Sequence, residues 1–311
     1  MTVKDYFIFF RWKNVLMIIL IQYLFKYVLF EKFDLLVSLN DLHFALLTLS
    51  TVCIAIAGYI INDIQDVKAD IINKPEKLFV DRKIVRSYAR YLYIGFNAVG
   101  LSLGMYLSYY IGHTSYFFIY VLTAFLLYQY AKYFKVKFLI GNIIISLIIL
   151  LSIILVMVFD LMPVTSNYNL ISQMIVLKIL IAFGIYGFIF TFLREVVKDM
   201  EDIKGDRSIG ARTLPIVLDM NKTKWVLMIT AILLLLSLFY LAYYFYDQKF
   251  FLSVYLVTAV ALPLIFFIFK TRKASTKKEF SQMSALLKII MFTGILSIFL
   301  CCTARDGNLT N

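Results

Sequence analysis

The sequence predicts an all-α, polytopic membrane protein with nine membrane-crossing helices in a single domain over residues 1–311. Three observations carry that reading. The chain is 62% hydrophobic with only four prolines and has a mean hydropathy of +0.86, a composition foreign to soluble globules. Apolar runs recur at roughly the 17–25 residues a helix needs to cross the hydrocarbon core. Lysine and arginine also crowd into every second connecting segment, as the positive-inside rule requires.

Span 1 covers residues 15–30. The segment Met1–Lys13 before it carries charges and aromatics unlike a cleavable signal peptide, so the span is read as retained. The other spans are 41–61, 88–110, 115–131, 138–159, 173–193, 225–246, 250–269 and 284–302. Basic residues cluster before span 1 (Lys4, Arg11, Lys13), after span 2 (Lys68 to Arg90) and after span 4 (Lys132, Lys135, Lys137). They cluster again after span 6 (Arg194 to Lys224) and after span 8 (Lys270 to Lys278). The alternate loops are nearly bare. An integral membrane protein with a cytoplasmic N-terminus and an outside C-terminus follows. Topology thus accounts for the net charge of +12, and no nucleic-acid partner is expected.

Cys53, Cys301 and Cys302 fall within spans, and His43 and His113 sit near the outer ends of theirs. None has metal-ligand spacing, and packing explains all five. Chemistry built on histidine or cysteine is not expected.

Two cytoplasmic loops, roughly 62–87 and 194–224, are long, and each opens on a ladder of aspartates. Asp63, Asp66 and Asp70 follow span 2; Asp199, Asp202 and Asp206 follow span 6. Both sets have i, i+3, i+7 spacing, which is one face of a helix, so both spans are expected to run on by about two turns. Stacked carboxylates repel and call for cations. One such ladder would be an ordinary solvated helix end paired to lysines; two of equal step, each after an even-numbered span, suggest a weak internal repeat and a shared task. Oxygen ligands favour Mg²⁺ over Zn²⁺, and two facing ions would clamp a diphosphate. Asn62 adds a neutral oxygen, while Glu201 points to another face.

Basic residues lie within reach of the same place. Arg194 and Lys198 are i, i+4 on span 6, and Lys132 ends span 4 in Tyr128-Gln129-Tyr130-Ala131-Lys132. Arg11 and Asn14 begin span 1, and Lys74 and Arg212 reach in from the loops. Arginine suits bidentate phosphate contact and lysine a point charge.

These stretches resemble the UbiA-type intramembrane prenyltransferases. NDIQDVKAD from Asn62 to Asp70 is similar to that family's first motif, N-D-x-x-D-x-x-x-D. REVVKDMEDIKGDRSIGARTLPI from Arg194 to Ile216 resembles the second motif in the form of the geranylgeranylglycerol-phosphate geranylgeranyltransferase branch. The segment Leu127 to Leu147, containing YAKYFKVKFLIGN, is similar to the same branch. The resemblance implies nine helices around a central cavity, with cytoplasmic loops after helices 2 and 6 capping it. It implies Mg²⁺ on Asp63, Asp66, Asp70, Asp199, Asp202 and Asp206, holding a polyprenyl diphosphate. Asp66, Asp70, Asp199, Asp202 and Lys198 would then be catalytic, and Arg11, Asn14, Asn62, Lys74, Lys132, Arg194 and Arg212 would bind substrate. One departure stands out. Where the family continues from Asn-Lys-Pro to Glu, Arg-Pro and Gly, this chain has Glu76-Lys77-Leu78-Phe79-Val80-Asp81-Arg82.

The branch implies transfer of a geranylgeranyl group to a prenylglycerol phosphate. An aromatic acceptor, as in quinone biosynthesis, is the alternative within the same family. The glycerol phosphate needs more cationic contacts, which Lys74, Lys77, Arg82, Arg207 and Arg212 can supply. Outside the family, the ladders could serve an ion transporter, although such sites lie near the bilayer midplane on broken helices. A non-catalytic lipid-binding scaffold is the remaining reading.

Overall fold

The computed structural model describes residues 2–165 and 170–302, Lys77 by its backbone alone. The expected outer end of the chain, beyond Cys302, lies outside the described residues. The described chain is helical, and its one β contact is an isolated bridge between Val80 and Ile84. A short helix α1 (Val3–Phe9) precedes α2 (Trp12–Phe30), α3 (Asp41–Gln65), α4 (Val67–Asn73), α5 (Arg86–Tyr110) and α6 (Thr114–Phe134). There follow α7 (Ile140–Val164), α8 (Leu170–Ser208), α9 (Leu214–Val217), α10 (Met220–Phe245), α11 (Phe250–Lys273) and α12 (Lys277–Cys302).

Eight of these are long and apolar enough to cross a membrane, where the sequence led to nine. The difference is α5. At 25 residues it has the length, but Arg, Asn, Ser and six Tyr side chains among RSYARYLYIGFNAVGLSLGMYLSYY dilute its apolar surface. It still packs along α3 more extensively than any other pair of helices in the fold. Gly100 makes the approach possible, because a Cβ there would meet Ile54 Cγ1 at 2.7 Å. The Ser50 hydroxyl then donates to the Gly100 carbonyl at 2.7 Å. Small residues at a helix crossing are how membrane helices come close.

Packing elsewhere runs mainly α7 on α8 and α8 on α12. Large apolar side chains such as Tyr240, Phe269 and Leu233 stay exposed on the outer surface of the helices, as lipid-facing positions do. Three buried apolar clusters hold the fold: one around Phe25, Phe44 and Phe159, one around Val196, Leu264 and Met283, and one around Phe9, Ile60 and Phe79.

The second ladder rides, as expected, on an unbroken helix, since α8 continues past its apolar part to Ser208. The first does not. The helix of span 2 bends at Asp66, whose φ of −80° and ψ of −6° separate α3 from α4. Aspartate is a poor helix interior residue, and here its carboxylate is drawn aside by Asn62 and Lys135. The i→i−4 hydrogen bonds persist across the bend, from Asp66 N to Asn62 O (2.9 Å) and Asp70 N to Asp66 O (2.8 Å). The three carboxylates therefore keep one general direction.

Candidate active site

A single cavity of about 2260 Å³ takes in both ladders, and all six aspartates line it. Arg11, Asn14, Asn62, Lys74, Arg194 and Lys198 line it too. Below this charged end the walls turn apolar, with Leu127, Ile149, Ile153, Phe183 and Phe190. Lys32, Lys178, Asp247 and Lys249 line the far end.

On the first ladder, each of the two leading carboxylates is met by a cation. Arg11 Nη2 lies 2.6 Å from Asp63 Oδ1, and its guanidinium sits 4.8 Å from the centre of the Tyr59 ring. Arg11 adopts the left-handed conformation (φ 53°) between α1 and α2, a cost of order 1–2 kcal/mol that functional sites tolerate. Asp66 Oδ2 accepts from Asn62 Nδ2 at 2.7 Å and pairs with Lys135. Burial works against the charge of Lys135, but Asp66 outweighs it, so the ammonium holds its proton above the usual lysine range. Among the described residues Asp70 has no such direct partner, and burial followed by the charge of Asp66 pushes its carboxyl up to about 6.

On the second ladder, Asp202 Oδ2 accepts from Lys74 Nζ at 2.6 Å, a bond that reaches across from the loop after α4. Asp199 Oδ2 accepts from Asn142 Nδ2 at 2.8 Å, on the first turn of α7. One turn before Asp199, Glu195 is buried and gathers Lys198 Nζ at 2.6 Å and Arg194 Nη1 at 2.9 Å. Asn73 ties the two ladders together through the backbone of α8.

Two of the expected site residues lie elsewhere. Lys132 is exposed, donates to the Tyr128 hydroxyl at 3.2 Å and lies over the rings of Tyr128 and Tyr133. Arg212 is exposed as well; its backbone N–H bonds Val136 O at 2.8 Å and its side chain does not line the cavity. The cause at Lys132 is a π-type turn over Tyr130–Phe134. The extra residue in that turn rotates the following positions, so Lys135 faces the aspartates. Sequence reading also passed over Glu195, Asn142 and Asn73. It passed over Lys178 and Lys288 as well, and these carried a signal: each is a lysine inside an apolar span, where ionisable residues are normally functional.

The altered loop is a packed element. Leu78 and Phe79 line the cavity, and the Phe79 ring centre is 5.6 Å from that of Phe9. Arg82 caps the Pro75 carbonyl and Arg86 pairs with Asp81 at 2.5 Å. The Lys77 side chain lies outside the described residues.

Among the described residues no three acidic, histidine or cysteine side chains converge tightly enough to enclose an ion alone. The donor set nevertheless fits a hard cation. It is all oxygen, and two of its buried atoms, Asn62 Oδ1 and Asp202 Oδ1, have no hydrogen-bond partner. An ion taking some of these oxygens and completing its shell with water or phosphate oxygens matches how Mg²⁺ is usually held.

Two facing aspartate ladders over a lipophilic chamber narrow the relatives to be expected. Residues 33–296 match the UbiA prenyltransferase family. The chain belongs to that family. It is accordingly a prenyltransferase, set in a bundle of membrane helices. Among UbiA relatives, the digeranylgeranylglyceryl phosphate synthase of Sulfurisphaera tokodaii is 30% identical over 239 residues, covering 77% of this chain and 80% of its own. That of Sulfolobus acidocaldarius is 31% identical over 241 residues, covering 77% and 81%. A solved structure concerned with digeranylgeranylglyceryl phosphate synthase superposes with a TM-score of 0.61 at 25% identity, over 96% of this chain and 98% of that one. A UbiA homologue from Archaeoglobus fulgidus, solved with GPP and Mg²⁺, shares the fold with a TM-score of 0.59 at 14% identity, over 94% and 99%.

Proposed function

We propose that this UbiA prenyltransferase moves a geranylgeranyl group from its diphosphate to the free hydroxyl of an sn-glycerol phosphate that already bears one prenyl ether. The observation that carries this reading is the size and polarity of the cavity. At about 2260 Å³ it exceeds twice the roughly 1,000 Å³ upper end of small-ligand sites. Two long tails occupy more of that volume than a flat aromatic acid beside one prenyl tail would. The names of the curated relatives point the same way. Burying each CH₂ of a tail contributes about 0.8 kcal/mol.

In this reading Asp63, Asp66, Asp70, Asp199, Asp202 and Asp206 hold Mg²⁺, with Asn62 as a neutral ligand. Bound there, the ion offsets the charge that builds on the departing diphosphate. Lys74, Lys135 and Arg11 now neutralise individual aspartates; with the carboxylates engaged elsewhere, they are free to donate to phosphate oxygens. Lys198, next to Asp199 and anchored on Glu195, adds positive charge from the membrane side. The bond between donor C1 and the diphosphate oxygen breaks with its electron pair leaving on pyrophosphate. The acceptor oxygen then bonds C1, and its proton passes to water or to the released pyrophosphate. The allylic centre is electrophilic enough that no strong base is needed.

We place the N-terminus and both ladders on the cytoplasmic side, with α5 as the ninth crossing, because this orientation puts the basic loops inside. The deciding experiment supplies purified protein with Mg²⁺ and labelled geranylgeranyl diphosphate, offering glycerol-phosphate ethers beside aromatic acids. Labelled diether phosphate and pyrophosphate are expected. A prenylated aromatic product in their place would overturn the acceptor assignment, and no pyrophosphate at all would overturn the reaction.

A further inference from the structure

Lys288 is the only charged residue between Ser281 and Cys302, the membrane-crossing part of α12. Its ammonium lines the cavity and donates to Asn14 Oδ1 at 3.1 Å. Among the described residues it has no carboxylate partner. The charges that act on it are those of Arg194, Arg11, Glu195 and Lys13, four groups of which only Glu195 is negative. Arg11 is committed to Asp63, and Glu195 is shared between Arg194 and Lys198. Positive charge is therefore in excess on this wall, away from bulk water.

Among the described residues, two buried donors of α8 that line the same cavity are unused. Arg194 spends Nη1 on Glu195, while its Nε, fully shielded from solvent, has no partner. Thr191, 4% exposed and lining the cavity, has a hydroxyl with no partner either. Thr191 and Arg194 are i, i+3 on α8 and share a face. Leaving such groups unmade costs about 1–3 kcal/mol each, which a ligand would recover. The set consists of an ammonium, a guanidinium N–H and a hydroxyl, and it suits a tetrahedral oxyanion. Arg194 precedes Asp199 by roughly 7.5 Å of helix rise and Asp202 by roughly 12 Å, so this wall is deeper in the membrane than the second ladder.

We propose that Lys288, Asn14, Arg194 and Thr191 form a second anion subsite that takes the phosphate monoester of the acceptor lipid. The inference rests on the acceptor reading above and adds the residues that select a phosphorylated acceptor. The acceptor's hydroxyl then lies between the two anion subsites, where donor C1 is exposed once the diphosphate is clamped.

The test compares wild type with Lys288→Met in lipid nanodiscs with Mg²⁺ and geranylgeranyl diphosphate. Two acceptors are offered, geranylgeranylglycerol phosphate and the same ether alcohol without phosphate. Lys288→Met should raise KM for the phosphorylated acceptor about ten- to a hundredfold, the range for a hydrogen bond to a charged group. Turnover of the alcohol and KM for the donor should stay as in wild type, and Lys288→Arg should restore most of the affinity. Thr191→Val, nearly isosteric, should raise the same KM several-fold, and it carries the test if Lys288→Met does not fold. An unchanged KM for the phosphorylated acceptor in Lys288→Met and Thr191→Val overturns the subsite, as does equal weakening of both acceptors. A wild type that ignores the phosphorylated acceptor overturns the acceptor reading itself, a result distinct from a wild type that uses it and a variant that matches it.

Discussion

Asn73 grips the backbone of α8 at Gly205: its Oδ1 accepts from the Gly205 N–H at 2.8 Å while its Nδ2 donates to the Asp202 carbonyl at 2.8 Å. One buried amide at the end of α4 thus fixes the distance between the two ladders. Its own carbonyl is held in turn by Lys277 at the start of α12. The contact needs a bare Cα opposite, because a Cβ at Gly205 would fall 2.4 Å from Asn73 Nδ2 and 2.6 Å from the Ala69 carbonyl. The amide could turn away, but the Ala69 backbone could not.

Gly205→Ala should therefore push α4 off α8. The expected cost is about 1–3 kcal/mol in stability, the usual range for overpacking, with a larger effect on turnover because the ladders separate. Thermal unfolding in detergent and pyrophosphate release under saturating Mg²⁺ measure the two effects. A variant with normal turnover would show that the spacing set by Asn73 does not matter.

Asp66→Ala and Asp202→Ala should each abolish turnover while the protein stays folded and inserted. Each removes a carboxylate from a different ladder, and each releases a lysine, Lys135 or Lys74, from its ion pair. Near-normal activity in both would defeat the metal assignment. Folding is checked by gel filtration in detergent and by unfolding temperature.

Lys198→Ala should lower kcat more than it raises KM for the donor. A contact that strengthens as charge develops on the leaving group acts mainly on the transition state. Its anchor Glu195 then becomes a buried acid left with Arg194 alone. Steady-state kinetics decide the matter, and an unchanged maximal rate counts against the role.

Much of this was legible in the residues. The apolar runs gave the long helices nearly to their bounds, and the equal step of the two ladders anticipated that they would face one cavity. Hydrophobic periodicity and charge spacing report on regular helix, and they fail where the helix is irregular. A π-type turn moved the cavity lysine from 132 to 135, and a bend at Asp66 broke the first ladder's helix. Pairings between distant segments, such as Asn73 with Gly205 or Asn142 with Asp199, have no local signature at all.

Lys135→Met and Lys132→Met form a matched pair. Both remove one lysine near the end of α6, but only Lys135 touches a ladder. Lys135→Met leaves Asp66 without its cation in a partly buried place and should reduce kcat/KM by about tenfold or more, the equivalent of a charge-assisted hydrogen bond. Lys132→Met loses an exposed contact with Tyr128 and Tyr133 and should stay within about twofold of wild type, as surface substitutions usually do. Equal losses would mean that both lysines act only through the field of the loop.

At the opposite end of the bundle, Lys26 and Asp160 form an ion pair in which Nζ lies 2.8 Å from Oδ2 and the side chains are 7% and 0% exposed. The pair is fully satisfied. Lys26 also donates to the Leu39 carbonyl at 2.6 Å, and Asp160 Oδ1 accepts from Leu39 N–H at 2.9 Å. It joins α2, the loop before α3 and the end of α7, far from the ladders. Breaking a buried pair by removing one partner leaves an uncompensated charge and typically costs about 3–5 kcal/mol. Lys26→Met alone should therefore destabilise by about that amount. Lys26→Met with Asp160→Leu should be less destabilised than the single variant, because the stranded carboxylate is gone and only the Leu39 backbone groups lose partners. Denaturation of the three proteins in the same detergent gives the comparison. A double variant weaker than Lys26→Met would mean that Asp160 stabilises the fold chiefly through the Leu39 backbone rather than through the lysine.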